Sequence, residues 1–329
     1  MKIKNICFVG FTFCLLACSC GNKTTQSNNI TEYTQISPDF NADSAYHFVN
    51  KQVEFGPRVL NTPQHVACGN YLVAELKRFG AEVTEQPADL KAYDGTVMKA
   101  RNIIGAFSPE KRNRILLFAH WDTRPVSDHD SNPDNHNKPL LGANDGASGV
   151  GVLLEIARVI QMQSPTLGID IIFFDAEDNG VPDFKEEVPG DWWCLGSEYW
   201  SKNPHVANYT ARFGILLDMV GAPEAIFYKE GLSMHYAEKI VNKVWNTARL
   251  LGYDNYFINK QQYGGVTDDH VPVNENRNIP SIDIIQHDVN SKNGFAWYWH
   301  TQDDDMKNIS RETLKAVGQT VLEVIYKEK

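Results

Sequence analysis

Four short and predominantly apolar runs, at residues 115–118, 169–174, 213–217 and 282–285, alternate along the chain with stretches of helical periodicity. A strand that is apolar on both sides has both faces buried, and this arises when helices cover a parallel sheet from above and below. A further strand is predicted at 100–107. A helix is predicted to open at Thr62-Pro63, a capping hydroxyl followed by proline at the first helical position, and to stop at Gly80. Val66, Leu72, Leu76 and Phe79 would form its apolar face. Three more helices are predicted at 148–162, 233–251 and 311–326. No internal repeat or second linker interrupts the body, so residues 39–329 read as a single α/β catalytic domain. At 329 residues and 42% hydrophobic content the chain can bury a sizeable core.

Residues 1–17 read as an address. Lys2 and Lys4 precede an apolar run from Ile6 to Ala17, too short to cross a bilayer and of signal-peptide length. Leu15-Leu16-Ala17-Cys18 has the pattern of a bacterial lipobox, which makes Cys18 the lipidated residue. Cys20 lacks the aliphatic residue three positions upstream. The alternative is a plain secretory leader with incidental cysteines. Residues 18–38, rich in Asn, Thr, Ser and Gln, read as a polar tether. The expected location is the periplasmic side of a bacterial envelope membrane, the outer one, with acyl chains as the only membrane contact. Removing the leader takes the formal net charge from −10 to −12. Such a charge repels phosphate backbones, and no basic patch offsets it, so nucleic acid is not an expected partner. Cys68 and Cys194 remain in the body, where an oxidising compartment permits a disulfide and two separate buried thiols are the other reading.

Polar residues gather where predicted strands end. His120-Trp121-Asp122 follows the run at 115–118, Glu177-Asp178 the run at 169–174, and Asp218 the run at 213–217. Asp145 precedes the helix at 148, while Asp268-Asp269-His270 and Trp299-His300 flank the strand at 282. Ligands of open α/β sheets bind beyond the carboxyl ends of strands. One such carboxylate is ordinarily a cap or a solvated loop residue, but five segments repeating the pattern point to a site. Carboxylate with imidazole suits zinc, and adjacent acids at 177 and 178 allow one to bind metal while the other moves a proton.

Gly142-Ala143-Asn144-Asp145, Phe173-Phe174-Asp175-Ala176-Glu177-Asp178, Leu216-Leu217-Asp218, Asp268-Asp269-His270 and Trp299-His300-Thr301 together resemble the zinc aminopeptidase clan. More narrowly they resemble the glutaminyl-peptide cyclotransferases, in order from about residue 40 onward. Asp268-Asp269-His270-Val271-Pro272 and Trp299-His300-Thr301-Gln302-Asp303-Asp304 separate those cyclases from their peptidase relatives best. The resemblance implies a three-layer α/β/α sandwich around a mixed, mostly parallel sheet. It implies one zinc per chain on Asp145, Asp178 and His300, with Asp178 standing where animal cyclases usually carry Glu. Glu177 would shuttle the proton, Asp218 and Asp268 would share its acid network, and Trp299 and Trp193 would contact substrate, Trp192 competing with Trp193. The implied reaction converts N-terminal glutamine of peptides or proteins to pyroglutamate, releasing ammonia.

A rival reading is a two-zinc aminopeptidase, with His120 and Asp218 on a second ion and Asp145 bridging; in the cyclase His120 is instead hydrogen-bonded at its strand end. A lipid-anchored binding protein on an inactive peptidase scaffold is a third. His129, Asp130, Asp134 and His136 read as a solvated loop, with a pocket rim or a structural cation site as the other readings, and Tyr253, Tyr256, Phe257 and Tyr263 as core packing or a substrate border.

Overall fold

The computed structural model describes residues 33–329; Cys18, the leader and the tether up to residue 32 lie outside the described residues. Residues 34–329 form one compact unit. The helices are α1 (Ala42–Glu54), α2 (Pro63–Arg78), α3 (Ala147–Met162), α4 (Leu195–Lys202), α5 (Gly231–Leu250), α6 (His270–Arg277) and α7 (Arg311–Lys327). The strands are β1 (Glu82–Lys91), β2 (Val97–Phe107), β3 (Arg114–His120), β4 (Gly168–Phe174), β5 (Gly214–Asp218), β6 (Phe227–Lys229), β7 (Phe257–Gln261) and β8 (Ser281–Ile285).

Six strands form one sheet in the order β1-β2-β4-β3-β5-β8. β4, β3, β5 and β8 run parallel, whereas β1–β2 and β2–β4 pair antiparallel. The sheet is therefore mixed and mostly parallel at its centre. The predominantly apolar runs are β3, β4, β5 and β8, buried along their whole length. Their side chains alternate between two cores. Ile115, Leu117, Ile171, Phe173, Ile215 and Leu217 face the side covered by α1, α3, α5 and α7. Leu116, Phe118, Ile172, Phe174 and Leu216 face the side covered by α4 and α6, where Trp200 and Val273 meet them. This is the three-layer sandwich.

The Thr62 hydroxyl caps α2 by accepting from the His65 N–H at 3.2 Å, and Gly80 ends that segment at φ +86°. The apolar face of α2 differs from expectation. Val66 is 52% exposed, while Cys68, Leu72, Val73 and Leu76 are buried, so Val66 lies off the stripe, which starts at Cys68. α1 and the edge strand β1 carry no apolar run that a sequence reading would pick up. At the start of the unit, the Ile36 and Ser37 N–H groups donate to the Glu323 carboxylate on α7.

α3 lies against the ends of β3 and β5 at very close range. A Cβ on Gly149 would sit 2.1 Å from the Leu217 carbonyl oxygen and 3.0 Å from Ala119 Cβ. This approach places the loop before α3, with Asp145, beside the ends of the parallel strands. Gly149→Ala is expected to destabilise the protein by about 2 kcal/mol through overpacking, lowering the melting temperature by about 5 °C. A thermal melt of the variant checks this; an unchanged transition would mean that α3 can move away from β5.

Candidate active site

The parallel strands end together, and their first loop residues converge. His120 closes β3, Asp218 closes β5, and Glu177 and Asp178 follow β4 after a turn at Ala176 with φ +56°. Asp122 holds that turn, accepting from the Glu177 and Asp178 N–H groups at 3.1 and 3.3 Å and from the Asn179 amide at 3.1 Å. Asp145 lies in the loop before α3, Asp268 in the loop before α6, and His300 in the loop after β8. Asp304 ties two of these loops together by accepting from the Asn144 and Asp145 N–H groups.

The result is a cavity of about 570 Å³ lined by Asp145, Glu177, Asp178, Trp193, Asp218, Asp268, Trp299 and His300, with Val266, Thr267 and Phe295 at its border. All eight residues predicted for the site line this one cavity. Trp193 faces it; Trp192 does not, its indole N–H donating instead to the Val188 carbonyl. Trp299 stacks on the His300 ring at 3.6 Å between centroids, and Trp193 lies nearly parallel to the same ring at 6.1 Å. Tyr253, Tyr256 and Phe257 belong to the core, and Tyr263 is fully exposed, so none of the four borders the cavity.

Donor atoms of Asp145, Asp178 and His300 lie within 4.8 Å of one another, and all three residues are buried. His300 Nε2 stands 3.3 Å from Asp178 Oδ1 and 3.6 Å from Asp145 Oδ2. The other Asp178 oxygen, Oδ2, is buried with no hydrogen-bond partner. Two acids and an imidazole, one of them with an orphaned oxygen, fit a zinc ion. His300 Nδ1 faces Asp128 Oδ1 at 3.5 Å, which leaves Nε2 for the metal. Asp128 also accepts from Arg124 at 2.8 and 2.5 Å. Burial opposes its charge, but Arg124 and then His300 hold the Asp128 carboxyl well below the usual range. Arg124 in turn lies 3.4 Å from Asp178 Oδ1 and over the Trp193 ring.

Neither Arg124 nor Asp128 was identified from the sequence, although their opposite charges four residues apart were a usable signal. The loop they open is not simply solvated. His129 packs at a tilt against Trp299, ring centroids 4.5 Å apart, and pairs with Asp183 at 3.0 Å, and the buried Asp130 accepts from the Gln302 N–H. The predicted solvated loop therefore holds for Asp134, while His129 is half-buried against Trp299 and Asp130 is buried. Rings and amides of the 299–302 turn give them partners that local composition does not reveal.

On the other side, His120 Nε2 lies 3.0 Å from Asp145 Oδ1 and 3.2 Å from Asp218 Oδ1. These three residues also offer donors within 4.8 Å, as do Glu177, Cys194 and Asp268. Burial, and then the charges of Asp268 and Asp178, push Glu177 well above the usual carboxylate range, with His120 opposing. Burial and Asp218 do the same to Asp268. Neighbouring buried acids share protons rather than all ionising, which suits general acid–base chemistry. Cys68 and Cys194 are separate buried free thiols, so they do not pair.

The pattern described as Peptidase family M28 matches residues 102–325. In structure the chain is similar to a Zn-dependent exopeptidase from Parabacteroides distasonis, 63% identical with a TM-score of 0.88, over 89% of this chain and 100% of that one. It is similar to Bacteroides thetaiotaomicron glutaminyl cyclase, in a crystal with N-acetylhistamine, at 59% identity and TM-score 0.87 over the same shares. Aminopeptidase YwaD of Bacillus subtilis is 29% identical over 264 residues, covering 76% of this chain and 50% of that protein, so the chain spans about half the length of this relative.

Two measurements follow from the geometry. Asp128→Asn should weaken zinc binding by ~10–100-fold, read by competition with a chelating dye; parent-like affinity would remove Asp128 from its orienting role. The second concerns pH in the zinc-free protein. Burial raises Glu177, Asp268 and Asp283 well above the carboxylate range, and brings Asp269 and Asp304 up to about 7. Against burial, their carboxylate partners raise His120 and His300. A group whose folded pKa is raised stabilises the fold below its unfolded pKa and loses that contribution as pH climbs through the folded value. Burial lowers His129, His205 and His287, which act in the opposite sense but are fewer and less buried. The chelated protein should therefore melt at a lower temperature at pH 8 than at pH 5. An equal or higher value at pH 8 would contradict the burial of these charges.

Proposed function

The chain belongs to peptidase family M28, and from that premise we propose that it closes N-terminal glutaminyl residues of peptides and proteins into pyroglutamate, with release of ammonia. The observation that carries this reading over peptide hydrolysis is the buried set of Glu177 and Asp268 facing a cavity walled by Trp193 and Trp299. Likeness to a glutaminyl cyclase along that protein's whole length supports it.

Nucleophile and electrophile belong to one glutamine residue, so the site has chiefly to hold one rotamer. Trp193 and Trp299 supply flat walls for that side chain and reduce the space for water, which favours ring closure over hydrolysis. Asp145, Asp178 and His300 would hold one zinc ion per chain, which when bound would supply a Lewis acid for the side-chain carbonyl. Glu177 takes a proton from the α-amine as the new C–N bond forms. It then delivers that proton to the side-chain nitrogen, which leaves as ammonia when the old C–N bond breaks. Asp218 and Asp268 share a proton beside it, since neighbouring buried acids do not all ionise.

A two-zinc aminopeptidase is the second reading, favoured by the His120–Asp145–Asp218 donor set. Metal analysis separates the two: one zinc per chain supports the cyclase and two the peptidase.

We further propose that the enzyme works on the periplasmic side of a bacterial envelope membrane, tethered through acyl chains on Cys18. Lys2, Lys4, the apolar run and Leu15-Leu16-Ala17-Cys18 support this. Among the described residues no helix is long and apolar enough to cross a membrane. Peptides or proteins with N-terminal Gln would be the partners.

Incubation with a short Gln-peptide, read by mass, should show loss of one ammonia and no loss when chelator is present. A peptide left at its original mass, or shortened by a residue, would overturn the proposal. Glu177→Gln should keep its zinc and its melting temperature while kcat falls by ~10²–10⁴; near-normal turnover would remove Glu177 from proton transfer.

A further inference from the structure

Behind Glu177, on the side away from the cavity, lies a thiol that the reaction as described does not use. Cys194 Sγ stands 3.4 Å from Glu177 Oε1, and both residues are buried. Glu177 lines the cavity and Cys194 does not. The same residue grips the Glu177 backbone: the Cys194 N–H donates to the Glu177 carbonyl at 3.0 Å, and the Leu195 N–H donates to Ala176 at 3.0 Å. Ala176 and Cys194 both adopt left-handed backbone conformations, φ +56° and +55°, where the two segments meet. Gly196 closes the contact, since a Cβ there would lie 1.9 Å from the Asp175 carbonyl oxygen.

With its backbone held on this side and by Asp122 on the other, Glu177 keeps only its side-chain torsions. A carboxylate that must collect a proton at one atom and deliver it to another needs those torsions fixed. Resting on the reading of Glu177 as the proton carrier, we propose that Cys194 is a positioning residue whose S–H donates to Glu177 Oε1 and leaves Oε2 as the oxygen that exchanges protons with substrate. Burial, and then the charges of Glu177, Asp269 and Asp268, hold the thiol well above its usual range. It therefore keeps its proton and acts as a donor. A thiol is a weak donor, so it orients the carboxylate while withdrawing little of its basicity.

Cys194→Ala should lower kcat about tenfold, the size of one lost hydrogen bond to a charged group, with KM, zinc content and melting temperature unchanged. Cys194→Ser, which restores a donor, should recover most of the loss. The S–H stretch is the independent readout. In an infrared difference spectrum of the parent against Glu177→Gln, every thiol that does not face residue 177 cancels, and one band should move to higher frequency as the acceptor weakens. Parent-like kcat in Cys194→Ala, equal loss in the alanine and serine variants, or a featureless S–H difference spectrum would each overturn the proposal. If Cys194→Ala does not fold, the serine variant and the spectrum decide. A parent that releases no ammonia from Gln-peptides defeats the cyclase reading instead, and leaves the thiol–carboxylate contact to the spectrum.

Discussion

Buried carboxylates repel one another, and this chain gathers Asp145, Glu177, Asp178, Asp218 and Asp268 around one cavity at the end of its sheet. Such a cluster persists only if neighbouring cations, shared protons or a metal offset its charge. The structure provides the first two with its own residues. Arg124 reaches Asp178, His120 sits between Asp145 and Asp218, and His300 lies between Asp145 and Asp178. Burial pushes Glu177 and Asp268 well above the usual carboxylate range, which favours a shared proton between neighbouring acids. Much of the surrounding architecture serves to keep these groups at fixed separations. Asp122 and Asp304 hold the 177 and 145 loops by their backbone N–H groups, and Gly149 lets α3 approach closely enough to place Asp145.

The central sheet was legible because burial on both faces leaves an unmistakable apolar run. β3, β4, β5 and β8 fall within a residue or two of where those runs predict them. Sites at strand ends were legible for the same reason, since a polar residue directly after such a run has few other places to go. Elements whose environment is mixed were not legible. β1 is an edge strand with one solvated face, and its sequence alternates too weakly to stand out. Val66 was misplaced because helical spacing alone does not say which of two adjacent apolar stripes meets the sheet.

The missed part of the site, Arg124 with Asp128 and His129, has a different cause. These residues sit in an irregular loop, where no periodicity marks inward and outward positions. Their burial comes from residues about 170 positions away, through His129 on Trp299 and Asp130 on the Gln302 N–H. Cys194 is similar: as one of two cysteines in the body it invited a pairing question, whereas its partner is a carboxylate seventeen residues earlier. Contacts of this kind are set by the tertiary meeting of loops, and only spatial proximity exposes them. Asp178 shows the converse. Its side chain is one methylene shorter than a Glu, yet the backbone carrying it is fixed by Asp122, and its oxygen comes within 3.3 Å of His300.

His120 bears on the choice between one metal and two. Burial works against its charge, but Asp122, Asp145 and Asp218 together raise it well above the usual imidazole range. An imidazole nitrogen 3.0 and 3.2 Å from two carboxylates already partners the oxygens that a second ion would take. Seating that ion would break these contacts, so it competes with partners already in place. Gly146 packs directly against the ring, where a Cβ would come within 2.6 Å of His120 Cε1, which limits how far the imidazole can turn aside. The residues that form a second metal site in outline are thus already joined to one another in the structure.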